Sequence, residues 1–176
     1  MMHNMLQYLE GTADRCPDRT AFFDDQKHLT FAQLRDGACR IGSALSAHTK
    51  ARTPVAMLLD ARSLCNLPAL FGTLYAGCAY APLDITMPPE RLRLLLERMA
   101  PSAILTDGKG RRALTACAYE KAPVVSYEEA ILTLPDAGAL SVIRAQSSVY
   151  DPMSILYTSG STGVPKGSIQ SHFSYI

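Results

Sequence analysis

Apolar and polar positions follow two rhythms along the chain, and the rhythm changes every ten to twenty residues. Residues 5–16 predict a short helix that Pro17 stops. Residues 21–24 and 29–31 are β-prone on either side of the polar turn Asp25-Gln26-Lys27, which predicts a hairpin. Thr30 then stands as a helix N-cap with Gln33 as its capping-box partner, and Leu34, Ala38, Ile41 and Leu45 follow at helical spacing. Residues 54–59 (PVAMLL) are continuously apolar, as in a strand buried on both faces. Residues 63–75 are helical in character and stop at Gly77, and residues 79–83 are a second strand candidate. Pro88 or Pro89 opens a helix through Met99, where a first-turn proline loses no hydrogen bond. Residues 103–106 predict a third strand, residues 109–119 a weak helix and residues 124–127 a further strand. This alternation predicts an α/β fold: a parallel sheet flanked by helices. Residues 135–151 have little periodicity and read as a connecting segment, a crossover between two lobes. Residues 153–157 then form a strand candidate that runs straight into TSGSTGVPKG at 158–167.

Composition narrows the classes. A length of 176 residues suits about one domain, and 48% hydrophobic residues are enough for a sizeable core. A formal net charge of +1, without a Lys/Arg-rich run, gives no electrostatic case for nucleic acid or an acidic membrane surface. The most apolar stretch, residues 64–83, is broken by Asn66, Pro68, Gly72, Gly77 and Pro82, so no membrane span is expected. The N-terminus lacks the apolar segment of a signal peptide. Cys16, Cys39, Cys65, Cys78 and Cys117 are scattered and include no CxxC pair, so neither a metal site nor a disulfide framework is expected. Reduced thiols in a cytoplasmic protein are the plain reading.

The chemistry concentrates in residues 158–167. Gly160, Gly163 and Gly167 let the backbone turn sharply, so that successive N–H groups can converge on an anion. Thr158, Ser159, Ser161 and Thr162 add hydroxyl donors, and Lys166 adds a full positive charge behind Pro165. These groups suit a polyphosphate. The order Pro165-Lys166-Gly167-Ser168 is not that of a Walker A loop, and GxGxxG is absent. A Gly/Ser/Thr cluster on its own is most simply a surface turn. Two features argue otherwise here: the Pro-Lys-Gly close, and the position after an apolar strand, where ligands bind in open α/β sheets.

SILYTSGSTGVPKG resembles the phosphate loop of the adenylate-forming (AMP-binding) superfamily, which includes acyl-CoA synthetases, firefly-type luciferases and adenylation domains of nonribosomal peptide synthetases. LTFAQLRDGACRIGSAL, LYAGCAYAPLDITMPPERL and PSAILTD resemble further motifs of that superfamily, in the same order. The spelling with Ser161 and the APLDxxxPxxRL run lean toward peptide-synthetase adenylation domains and D-alanine–carrier-protein ligases. Ser168 departs from the family, where an apolar residue usually follows Pro-Lys-Gly.

The resemblance implies an ATP-dependent ligase. A carboxylate, expected to be an amino acid, would attack the α-phosphate of ATP to give an adenylate and pyrophosphate. A thiol of coenzyme A or of a carrier protein's phosphopantetheine would then take the acyl group. Thr158, Ser159, Gly160, Ser161, Thr162, Gly163 and Gly167 would wrap the phosphates, and Lys166 would act catalytically by neutralising the leaving pyrophosphate. His172 stands where many members carry a histidine. It is a candidate contact to nucleotide or acyl pocket, beside the plainer reading of a partly buried structural histidine. Asp84 reads as a turn cap before Pro88, Arg91 as solvent-facing or paired on its own helix, and Tyr75 and Tyr80 as packing residues.

The family's adenine-stacking, ribose-binding and magnesium-binding segments and its small C-terminal domain find no match, so magnesium ligands are not expected among these residues. The resemblance therefore implies a truncated large domain, inactive alone: residues 1–134 a first α/β lobe, 135–152 a connector, and 153–176 the phosphate loop and the start of a second lobe. Two other readings stay open: a non-catalytic nucleotide- or phosphate-binding remnant, and a pseudogene product.

Overall fold

In the computed structural model, which describes residues 4–24, 27–158 and 166–176, strand parity sorts the core into two halves. Strand β3 (Pro54–Leu58) sends Val55 and Met57 to one side, where Leu59 just beyond it also lies, and Ala56 and Leu58 to the other. Strand β5 (Ala103–Thr106) repeats this, with Ala103 and Leu105 opposite Ile104. A strand with apolar residues on both faces needs helices on both faces. The first face is covered by α1 (Leu6–Arg15), α2 (Phe31–Ser46), α3 (Asn66–Tyr75) and the short α6 (Tyr127–Ala130). The second is covered by α4 (Pro89–Met99), through Leu92, Leu95, Leu96 and Met99, and by α5 (Gly108–Cys117).

The main sheet has six strands in the order β6-β5-β3-β4-β7-β8. Strands β4 (Ala79–Pro82), β5, β6 (Val124–Ser126) and β7 (Pro152–Thr158) run parallel to the neighbours they join, and β8 (Lys166–Ser171) returns antiparallel along β7. A separate antiparallel pair joins β1 (Thr20–Phe23) to β2 (His28–Thr30), as the β-prone runs predict. The Thr30–Gln33 capping box is present in both directions, and Leu34, Ala38, Ile41 and Leu45 of α2 are all buried. α2 lies close against α3: a Cβ on Gly72 would sit 2.7 Å from Ile41 and 3.0 Å from the Ala38 carbonyl.

Residues 135–151 differ from their featureless pattern, because they contain α7 (Ala137–Ala145). The Asp136 carboxylate caps it by accepting the Ala139 N–H at 2.9 Å. Only Leu140 of this helix is buried, with Ile143 one turn on lying against Gly77, so its apolar stripe is short and its periodicity weak. Polar contacts add to that packing: Arg144 pairs with Glu10 at 2.7 Å and donates to Asn4. The strand expected at 153–157 has partners on both sides, β4 and β8, while β8 is the last strand in the order. Among the described residues, no helix is long and apolar enough to cross a membrane.

Candidate functional site

Every parallel strand of the sheet ends on the same side, and Thr158 is the last residue of β7 on that side. Its Cα partner across the antiparallel ladder is Lys166, the first residue of β8. The chain thus leaves the sheet at Thr158 and re-enters opposite it, and both flanks of the intervening segment are fixed by pairing. Ser159, Gly160, Ser161, Thr162 and Gly163, the phosphate-wrapping candidates, lie outside the described residues.

The described flanks are chemically suited to an anion. Thr158 and Lys166 are exposed side by side. Gly167 faces Tyr157 in the ladder, and a Cβ there would come within 3.1 Å of the tyrosine ring. Glycine at this position leaves room for the ring beside the returning strand. Burial by that packing raises the Tyr157 phenol, and the charge of Arg98 partly opposes the rise.

Two cavities open at this hairpin. One, of about 350 Å³, is lined by Thr158 and Tyr157 together with Asp84, Met87, Arg91 and Leu95. Arg91 is exposed, and its own helix pairs a different arginine, Arg93 to Glu97 at 3.2 Å. Arg91 is thus solvent-facing, as expected, on the wall of the cavity that Thr158 also lines. Asp84 caps its turn: its carboxylate accepts the Thr86 N–H at 2.8 Å and the Thr86 hydroxyl at 2.7 Å, which lowers its pKa. The second cavity, about 680 Å³, runs along the length of the hairpin from Lys166 and Gly167 past Ile155 and Ile169 to Pro152, facing Arg98 and Met99.

A third cavity, about 530 Å³, lies where β3 meets β4 and the chain crosses from one face of the sheet to the other. Its rim carries Asp60 and Lys109, paired at 2.5 Å, an ion pair that residues so distant in sequence do not advertise. Lys109's hydrogen bond is the main cause that lowers the Asp60 pKa. Among the described residues, no group of three or more His, Cys, Asp and Glu side chains is placed to hold a metal ion.

His172 stands apart from Thr158 and Lys166. It follows β8, whose last residue, Ser171, pairs with Pro152 at the far end of the hairpin. It is buried, and its Nδ1 accepts the Met5 N–H at 3.2 Å. Burial pushes its pKa below the ordinary 6.5; Asp151 opposes that fall and Arg144 adds to it. Nothing in the sequence pairs position 172 with position 5, because 167 residues separate them.

A family model described as "AMP-binding enzyme" matches residues 9–176. The chain is 33% identical over 167 residues to tyrocidine synthase 3 of Brevibacillus parabrevis, covering 94% of this chain and 2% of that protein. It is 34% identical over 172 residues to bacitracin synthase 1 of Bacillus licheniformis, covering 97% of this chain and 3% of that one. The chain thus spans only a small part of the relatives it matches. Among solved structures, a benzoate CoA ligase from Burkholderia xenovorans LB400 superposes with a TM-score of 0.81 at 22% identity, over 98% of this chain and 35% of that one. The nonribosomal peptide synthetase FmoA3 superposes with a TM-score of 0.79 at 24% identity, over 96% of this chain and 17% of that one. At such identities the structural likeness carries the fold.

Proposed function

This chain belongs to the AMP-binding enzyme family, and from that premise we propose that it supplies the ATP-phosphate grip of a ligase that activates an amino acid as its adenylate. The carboxylate attacks the α-phosphate of ATP and pyrophosphate leaves. A thiol of coenzyme A or of a carrier-bound phosphopantetheine then takes the acyl group. The observation that carries this reading is the pinned hairpin: a Gly/Ser/Thr segment whose two ends, Thr158 and Lys166, are paired residues where a parallel strand ends. Backbone amides and hydroxyls of Ser159, Gly160, Ser161, Thr162 and Gly163 wrap the phosphates in this reading, with Thr158 and Gly167 at its flanks. The Lys166 ammonium neutralises the pyrophosphate as it departs. Such help is positioning and charge stabilisation and adds no covalent step.

In the same reading residues 1–134 make a first lobe, 135–152 connect, and 153–176 open a second. The hairpin is the seam: β7 joins it to β4, and β8 ends the strand order. Magnesium bound with ATP would shield its phosphate charge, and none of its ligands is expected among these residues. The Ser161 spelling and the APLDxxxPxxRL run support an amino-acid substrate, in keeping with the likeness to tyrocidine and bacitracin synthases. Five free cysteines suit a reducing cytoplasm.

ATP–pyrophosphate exchange on the full reading frame, against a panel of amino acids and fatty acids, tests the reading. Exchange that depends on one amino acid is the expected result. Exchange driven only by fatty acids overturns the amino-acid assignment. ATP binding without exchange for any acid leaves a non-catalytic nucleotide binder.

A further inference from the structure

The hairpin that carries the candidate loop forms one edge of the sheet, with Met153 of β7 in one half of the core and Ile155 and Tyr157 packed against the other. β7 meets β4 through a single laddered residue pair, Tyr80 with Ser154. Among the described residues, no strand pairs with the outer side of β8. Besides that packing, the hairpin is held at its base, opposite the loop, where four segments converge. His172 donates its N–H to the Asp151 carbonyl at 3.2 Å, and Phe173 donates to the Val149 carbonyl at 2.7 Å. The Asp151 carboxylate pairs with Arg52 at 2.7 Å. Asn4, 1% exposed, donates to the Ser147 hydroxyl at 2.8 Å, accepts the Leu6 N–H at 3.0 Å and accepts from Arg144. The His172 ring closes the knot by accepting the Met5 N–H.

That last bond has a specific consequence. An acceptor at Nδ1 requires the neutral imidazole with its proton on Nε2. Met5 precedes the first residue of α1, so its amide is one of the helix-start donors with no partner inside the helix. His172 therefore satisfies a donor of α1 with an acceptor from the end of β8.

We propose that His172 is a positioning residue, which clasps the first turn of α1 to the base of the loop-bearing hairpin and thereby sets where Lys166 stands. The length of β8 separates Lys166 from His172, a lever of about 20 Å at the usual strand rise. A rotation of about 3° at the base moves Lys166 by about 1 Å, a displacement of the size that costs phosphoryl or acyl chemistry about a hundredfold. The clasp holds only while Nδ1 is free of a proton. The charged groups that face it are Asp151, itself paired with Arg52, and Arg144, itself paired with Glu10. The catalytic part of this role rests on the ligase reading above; the clasp does not.

Three forms of the full-length protein test it: the unaltered chain, His172→Leu and His172→Asn. The asparagine carbonyl oxygen stands near the position of Nδ1 and keeps the acceptor, whereas leucine removes it. Backbone amide exchange at residues 166–171 is expected to rise roughly two- to tenfold in His172→Leu, the range one net hydrogen bond allows, and to stay near the unaltered rate in His172→Asn. In ATP–pyrophosphate exchange the leucine variant is expected to lose rate and the asparagine variant to retain it. Unchanged amide exchange in a folded His172→Leu protein, or equal effects of the two variants, overturns the clasp. Loss of activity in both variants with amide exchange unmoved also overturns it, in favour of direct contact with nucleotide. If amide exchange responds as expected but the unaltered protein catalyses no pyrophosphate exchange, the clasp stands and the ligase reading fails.

Discussion

Lys166 and His172 illustrate how far a single side chain's meaning depends on its surroundings. Six positions apart in sequence, they occupy opposite ends of one hairpin, the lysine exposed and the histidine buried. The role proposed for Lys166 rests on its own charge, that of a cation behind a Gly/Ser/Thr segment. Replacing it with alanine is expected to slow pyrophosphate exchange roughly 10- to 100-fold, the scale of one lost charge-stabilising donor. Arginine should restore part of the rate by keeping the charge. Thermal stability should not change in either variant, since the side chain is exposed; a large fall in melting temperature in Lys166→Ala would give the residue a structural role instead. Asp84 behaves as its turn position predicts, with both bonds going to Thr86. Arg91 is solvent-facing as expected, because it lies off the buried stripe of Leu92, Leu95 and Leu96 in α4.

At the scale of elements, the sheet and its helices follow from local pattern wherever each element contacts the core along its whole length. The capping box and buried stripe of α2 are of this kind. So is the contact between α2 and α3, where the absence of a side chain at Gly72 lets Ile41 and the Ala38 carbonyl approach. Gly72→Ala puts a methyl 2.7 Å from Ile41, so the helices must separate. A loss of about 1–3 kcal/mol is expected, read as a lower urea midpoint with an unchanged slope. A neutral or stabilising result would mean that the helix pair has slack, with alanine's better helix propensity deciding. Helix α7 escapes prediction for the opposite reason. Its short stripe of Leu140 and Ile143 is weak evidence of a helix, and the ion pair of Arg144 with Glu10 joins residues 134 positions apart.

For the whole molecule, the polar knot at the hairpin base makes stability depend on pH just below 6.5. The His172 pKa is lowered in the folded state, chiefly by burial. Its contribution is therefore complete above the ordinary value of 6.5 and is lost as pH falls through the folded value beneath it. Asp60 and Asp84 are lowered too, by Lys109 and by Thr86, so they lose their contributions only further down, below the ordinary 3.8. A melting curve followed downward in pH should thus show a fall below 6.5 that His172→Asn lacks, followed by a separate acid step common to both. One coincident step in the two proteins would count against a titrating clasp.

The sequence by itself determined the alternation of strands and helices, the parallel sheet covered on both faces, and the position of the Gly/Ser/Thr segment after an apolar strand. Each of these depends on residues within a few positions of one another, where sterics, period and capping act. Tertiary structure alone decided the strand order, the pairing of Thr158 with Lys166 across the ladder, the Asp60–Lys109 pair and the burial of His172 against Met5. Those contacts join segments far apart in the chain. No local preference can specify such partners; they meet because burying both apolar faces of one sheet brings their backbones together.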